Sequence, residues 1–268
     1  MTSILEKLFS SSFEIKITDE TDLNLESKVT PLLEELITES IRKKLKTKKV
    51  EIIIPEDFGL TVYKYSSVEG KEHYDKFGYS NSQGHFSAPF DKKATDFKVI
   101  INKSTFEEVQ YFSTLFHEFT HVIDFTDYID FYENPMLMNR DEKLKNYYFE
   151  FYLWAEFNAK KIGIHRLLKE YDKKNWAIDL PRSASLFMQD VDKEVDGLPR
   201  LYNLMHFFAR ITACDDGLLT LNSQVYPKNY LIENFGENAT VIHNTMAEIN
   251  TFYEFEKEKD FIKYLLRW

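Results

Sequence analysis

Residues 104–125, STFEEVQYFSTLFHEFTHVIDF, are the stretch that decides the fold. Apolar residues recur in it at intervals of three and four, which is the spacing of one face of an α-helix. Ser104 is followed three residues later by Glu107, a pair typical of a capping box at the start of a helix. The pattern therefore predicts a long helix from Thr105 to about Phe125. Its apolar face consists of Phe106, Val109, Phe112, Leu115, Phe116, Phe119, Val122 and Ile123.

The sequence before this helix predicts a small sheet. Strand-like runs rich in β-branched or aromatic residues are separated by connections that contain glycine or aspartate. A further run, Gly84 to Phe90, contains Pro89, which would confine it to a sheet edge. We expect a mostly antiparallel sheet over residues 50–102, preceded by a helix from Leu25 to Leu45. The other predicted strands are Val50 to Ile54, Leu60 to Tyr65 and Phe97 to Ile101.

The sequence after the long helix predicts mainly helices, so the fold class is expected to be α+β. We expect residues 1–126 to form an N-terminal lobe with the sheet and the long helix. Residues 127–268 would form a helical C-terminal lobe that completes one functional unit. Asn222 to Asn238 has no helical spacing and is expected to be a loop. The predicted helices are Leu144 to Glu170, Ala184 to Val191, Leu198 to Cys214 and Ala247 to Arg267.

Composition narrows the classes of partner and compartment. The 268-residue chain has a net charge of −10, so nucleic acid is not an expected partner, and the basic cluster at residues 42–49 is interpreted as an exposed helix end. Its single cysteine, Cys214, excludes an internal disulfide, which is typical of a reducing compartment. Neither a secretory signal nor an apolar run of about 18 residues occurs. We therefore expect a cytoplasmic protein that does not bind membranes; its oligomeric state is left open.

The centre of the long helix carries His117-Glu118-Phe119-Thr120-His121, which matches the motif H-E-x-x-H. Residues four apart lie on one face of a helix, so both imidazoles can bind one Zn²⁺. Glu118 lies beside this axis, where it can accept a proton from a zinc-bound water. The same polar residues would be costly to bury among phenylalanines without a partner such as a metal. The motif therefore predicts a zinc site with Glu118 as the general base.

A catalytic zinc site needs a third protein ligand and an open position. Glu156, 35 residues after His121 on a second predicted helix, is the candidate that we favour. Asp127, ten residues after His117, is the alternative, and Glu150 is a lesser one. Position 124, where metzincins need a glycine for the turn before their third ligand, holds Asp124 instead. The ligand set expected for zinc is therefore His117, His121 and Glu156.

The sequence has the HEFTH helix after a strand and a later helix with Trp-Ala-Glu-Phe-Asn-Ala at residues 154–159. This arrangement resembles the gluzincin type of zincin metallopeptidase. It is also similar to small zincin-like proteins of bacteria and their mobile elements. This resemblance implies an active-site helix, an edge strand that binds substrate, and a second-lobe helix that supplies the glutamate. It implies His117, His121 and Glu156 as zinc ligands and Glu118 as the base, acting on a peptide or protein substrate.

Other residues and functions stay open at this point. Asp124 shares the face of the two histidines and can orient an imidazole. Tyr202 and His206 are candidate donors to the oxyanion of a tetrahedral intermediate, and His85, His165 and His243 are weaker candidates. A non-catalytic zincin-fold binding or regulatory protein is the alternative function, and hydrolysis of a non-peptide amide is a third. An intact Glu118 favours the enzyme, because a purely structural site has no use for a base beside its ligand.

Overall fold

A computed structural model describes residues 13–67, 70–72, 75, 82–89, 93–133, 139–170, 197–215, 233 and 236–266. The chain divides into two compact units, Met1–Asn139 and Arg140–Trp268. The first contains a four-stranded mixed sheet with helices, and the described part of the second is helical. The predicted α+β class is confirmed.

The sheet of the first unit has the spatial order β1-β2-β4-β3. β1 pairs parallel with β2, β2 pairs parallel with β4, and only β3 is antiparallel to its neighbour. The prediction of a mostly antiparallel sheet is therefore wrong. The edge strand predicted over Gly84 to Phe90 is present, since β3 ends the strand order, but it stops at Ser87, before Pro89. The strands are β1 (Glu14–Asp19), β2 (Lys49–Ile54), β3 (Gly84–Ser87) and β4 (Asp96–Ile101).

Helices in the connections explain the parallel pairings, because parallel neighbours need a crossover. Helices α1 (Glu26–Leu36) and α2 (Glu39–Lys44) connect β1 to β2. The predicted single helix over this region is interrupted at Thr38, whose side chain accepts a hydrogen bond from the Ile41 amide and caps α2. Helix α3 (Phe58–Tyr65) lies between β2 and β3.

Helix α3 replaces the strand that we predicted at Leu60 to Tyr65. The Asp57 side chain accepts a hydrogen bond from the Leu60 amide and starts the helix. Phe58 and Val62, four residues apart, then pack against the sheet residues Ile53 and Ile100. Short apolar runs fit a strand and a buried helix face equally well, and here the aspartate cap decides between them.

The long helix is confirmed, with different ends. A 3₁₀ turn, Lys103–Phe106, comes first, and α4 runs from Gln110 to Phe131. The predicted capping box is wrong, because Asn102 accepts the Ser104 amide at 3.1 Å and caps the 3₁₀ turn instead. Helix α4 packs against β3 and β4, so the HEFTH segment lies next to the antiparallel edge of the sheet.

The described part of the second unit contains helices and no strands. Trp154, Phe151 and Phe255 form its aromatic core, with Trp154 and Phe255 stacked at 5.5 Å. The last helix starts later than predicted because Thr251 and Glu254 form a capping box. The described residues do not include the predicted helix Ala184 to Val191. They include only residues 233 and 236–238 of the predicted loop Asn222 to Asn238. The helices are α5 (Arg140–Lys145), α6 (Tyr148–Leu168), α7 (Gly197–Asp215), α8 (Asn238–Glu248) and α9 (Phe252–Leu265).

Among the described residues, no helix is both long and apolar enough to cross a membrane.

Candidate metal centre

Helix α4 brings together the three polar residues of the HEFTH segment. One ligand atom from each of His117, Glu118 and His121 lies within 4.8 Å of the others. Glu118 and His121 are buried, with 8% and 3% of their surface exposed, whereas His117 is partly exposed. The Nδ1 atoms of both imidazoles are buried from solvent. Within the described chain this is the group that could hold a metal ion.

The distance between the two imidazoles fits a shared metal. Their Nε2 atoms lie 3.2 Å apart. Two nitrogens at 2.0–2.1 Å from a tetrahedral ion are separated by about 3.3 Å. The rings are nearly perpendicular, at 89°. The arrangement therefore fits a metal ion that accepts imidazole nitrogen.

Strand β3 packs directly onto this site. A Cβ atom added to Gly84 would lie 2.7 Å from Glu118 Oε1 and 2.7 Å from Thr114 Cγ2. Two residues further along, the centroid of the Phe86 ring lies 5.5 Å from the centroid of the His121 ring and 4.9 Å from that of the Phe125 ring. The strand therefore contacts both the proposed base and one proposed ligand.

The continuation of α4 excludes Asp127 as a third ligand. The helix does not turn at Asp124, so Asp127 lies roughly 15 Å along the axis from His117 and roughly 9 Å from His121. Its carboxylate instead accepts a hydrogen bond from Lys44 Nζ at 2.6 Å. Burial raises the pKa of Asp127, and the Lys44 ammonium opposes that shift. Asp124 is buried on the helix, and its orienting role stays a prediction.

In the second unit, Glu156 belongs to a polar cluster between α6 and α7. Its Oε2 atom lies 3.0 Å from His206 Nε2, and Tyr152, four residues earlier, also hydrogen-bonds to it. The Tyr202 ring lies 4.2 Å from the His206 ring. Burial, followed by the charge of Glu156, raises the pKa of Tyr152 well above its ordinary value, so the phenol stays protonated and donates. Glu156, the proposed ligand, and Tyr202 and His206, the two candidate oxyanion donors, are thus neighbours.

The remaining candidates have different surroundings. Glu150 is buried in the first turn of α6, and its Oε2 atom has no hydrogen-bond partner within the described chain. His85 lies on β3 and His165 in the last turn of α6. His243 stacks on Phe208 at 4.7 Å and lies 2.9 Å from Thr212 Oγ1. Burial lowers the pKa of His243 to about 4, which makes it a neutral core histidine.

No protein-family model, curated protein or solved structure matches the chain. Function is therefore inferred from the chemistry of these residues and from their placement.

Sequence reasoning missed the role of β3 residues Gly84 and Phe86. The available signal was a glycine followed by an aromatic residue two positions later, in a strand predicted at a sheet edge. Residues two apart share one face of a strand, so both would face the same helix. Nothing in the spacing identifies that helix as the one carrying HEFTH.

Proposed function

We propose that this protein is a zinc-dependent metallopeptidase of the zincin type. His117 and His121 hold the metal, and Glu118 is the general base. The observation that carries the proposal is the 3.2 Å separation of the two Nε2 atoms with the Glu118 carboxylate beside them on one helix. Two histidines paired only for packing would have no need of an adjacent buried acid.

The donor set favours zinc over magnesium and calcium. Imidazole nitrogens suit Zn²⁺, whereas Mg²⁺ and Ca²⁺ prefer sites built entirely from oxygen. When bound, Zn²⁺ supplies Lewis-acid polarisation of a carbonyl oxygen and lowers the pKa of water. His117 and His121 would provide two ligands. We retain Glu156 as the proposed third ligand on the grounds of sequence, because the alternative Asp127 lies on the same continuous helix as His117, roughly 15 Å further along its axis.

Glu118 is suited to move protons. It is 92% buried beside β3, so a carboxylate there is shielded from bulk water and acts on a nearby group with little competition. In the proposed reaction it accepts a proton from the attacking water and transfers it to the leaving amine nitrogen. The water oxygen first adds to the carbonyl carbon and gives a tetrahedral intermediate. The C–N bond breaks when this intermediate collapses, and a carboxylate and an ammonium are released, the amine nitrogen having taken up both protons of the water.

An extended peptide is the proposed substrate. Strand β3 ends the sheet order and lies against Glu118. A peptide that adds to such an edge is held by its backbone, with its side chains alternating between the two faces. That mode presents a backbone amide to the base and favours peptides over small isolated amides.

The experiment combines metal analysis with cleavage. We expect the purified protein to bind about one zinc per chain, and His117→Ala and Glu156→Ala to lose it. Wild type should cleave members of a peptide library, and Glu118→Gln should bind zinc without cleaving. The matched control is His243→Phe, which changes a buried histidine outside the site. Absence of zinc from the wild type would overturn the proposal, and zinc without cleavage would favour the non-catalytic zincin-fold protein. Retention of zinc by Glu156→Ala would refute the third ligand alone.

A further inference from the structure

The contact between β3 and α4 has a chemical consequence for Glu118. The strand runs past the helix so closely that position 84 has no room for a side chain. An added Cβ would meet Glu118 Oε1 at 2.7 Å, Glu118 Cγ at 2.8 Å and Thr114 Cγ2 at 2.7 Å. Non-bonded carbon atoms prefer separations of about 3.5–4.0 Å. Any residue larger than glycine must therefore move the Glu118 side chain, the Thr114 side chain or the strand.

Space, and not backbone conformation, is the reason for glycine here. Gly84 pairs with Ile101 in the antiparallel ladder, so it has ordinary strand geometry. Gly236, by contrast, has a φ of 77° and nothing within 4 Å of an added Cβ. Glycine at position 236 thus allows a positive φ, whereas glycine at position 84 leaves room for the side chains of α4.

Phe86, two residues after Gly84 on the same face of β3, has a large side chain. Phe86 fills the space beside His121 and Phe125, with ring centroids 5.5 Å and 4.9 Å away. The strand thus places its smallest residue against the acid and a large ring against the imidazole. The orientation of Glu118 is limited on one side by the backbone of Gly84, while the imidazole of His121 packs against an aromatic ring.

We propose that Gly84 is a positioning residue that fixes the Glu118 carboxylate for catalysis, by bringing the β3 backbone against it. This inference rests on the proposed function in that Glu118 is the base whose position matters. The contact itself is independent of any metal. A side chain at position 84 would turn the carboxylate away while leaving the nitrogens of His117 and His121 in place.

Gly84→Ala in the wild-type background tests whether Gly84 positions Glu118 for catalysis. A misplacement of about 1 Å can cost about 100-fold in rate, so we expect a loss of that order in kcat with the zinc content unchanged. The matched control is Gly70→Ala, where an added Cβ would meet only serine atoms, at 3.0 Å and beyond. We expect Gly70→Ala to keep wild-type kcat. Full activity of Gly84→Ala would overturn the positioning role.

A stability cycle in the full-length chain tests the contact without relying on activity. Gly84→Ala is combined with Glu118→Gln, which keeps the volume of the side chain, and with Glu118→Ala, which removes it. We expect Gly84→Ala to lower the Tm in the wild-type and Glu118→Gln backgrounds. In the Glu118→Ala background the drop should be clearly smaller, with or without zinc. A second control combines Gly84→Ala with Thr114→Ser, which removes only Cγ2, the Thr114 atom that the added Cβ would meet. The contact with Glu118 remains in this double variant, so we expect its kcat to stay as low as that of Gly84→Ala.

The outcomes separate the two proposals. An equal Tm drop in all three backgrounds would show that Gly84 serves the fold alone and would overturn this inference. The expected coupling in a wild-type protein that neither binds zinc nor cleaves peptides would refute the proposed function and leave the contact established.

Discussion

The imidazoles of the two units are buried in different ways. In the first unit, His117 and His121 lie on one helix with their Nε2 atoms 3.2 Å apart. In the second, two partly buried imidazoles meet partners on a neighbouring helix: His206 on α7 meets Glu156 on α6, and His243 on α8 meets Thr212 on α7. Burial of a histidine therefore does not identify a metal site. What distinguishes the first unit is that two ring nitrogens lie 3.2 Å apart, in a group that could hold a metal ion.

The largest expected effect separates the two groups by their response to zinc. A ligand that binds only the folded state stabilises it by about 4 kcal/mol at 1,000 times its Kd. We expect saturating zinc to raise the Tm of the wild type and of His243→Phe, and to leave His121→Ala unchanged. Thermal unfolding after treatment with a chelator, with and without added zinc, measures this. If zinc still raised the Tm of His121→Ala, the histidine pair of the first unit would not differ from the histidines of the second unit in metal binding.

The next effect concerns pH and His243. Its pKa is lowered from 6.5 to about 4 in the fold, so the folded state binds this proton less readily than the unfolded state does. The stabilising contribution is complete above pH 6.5 and is lost as the pH falls toward 4, by an amount on the order of 3 kcal/mol. Urea unfolding of wild type and His243→Phe at pH 7 and pH 4, without metal, should show a smaller loss in the variant. Equal losses would mean that His243 is not a neutral core residue.

The smallest effect sharpens the comparison inside the second unit. Replacement of His206 by phenylalanine leaves the buried Glu156 without its imidazole partner, which should cost roughly 1–3 kcal/mol of stability. Glu156→Leu together with His206→Phe should be less destabilising than the sum of the single changes, because neither partner then lacks the other. The free energies of unfolding of the four proteins give this coupling. Strict additivity would mean that the pair contributes nothing.

The sequence could predict what local spacing determines. Helix α4 follows from its three-and-four pattern, and the convergence of His117 and His121 follows from residues four apart on that helix. The edge position was predicted from Pro89, since proline cannot donate to a central ladder, although β3 itself ends at Ser87, before the proline. Each of these expectations depends on a few neighbouring residues.

Pairings between distant segments could not be predicted in the same way. Glu156 and His206 are 50 residues apart, and no local pattern indicates that α6 and α7 bring them together. The parallel sheet was missed because the apolar run of α3 also fits a strand, so the crossover went unrecognised. Strand β1 carried the period-two signal of Ile15 and Ile17 among polar residues, yet it lay outside the region where we expected the sheet.

The two outer strands of the sheet also differ in their tendency to self-associate. β1 carries Glu14 and Lys16 among its six residues, and charges of this kind discourage pairing with another copy. β3 carries no lysine, glutamate or aspartate, but it is only four residues long. So short an edge offers few backbone hydrogen bonds to an incoming chain. It is therefore a poor nucleus for aggregation, and in the proposed peptidase it would hold a cleaved product only weakly.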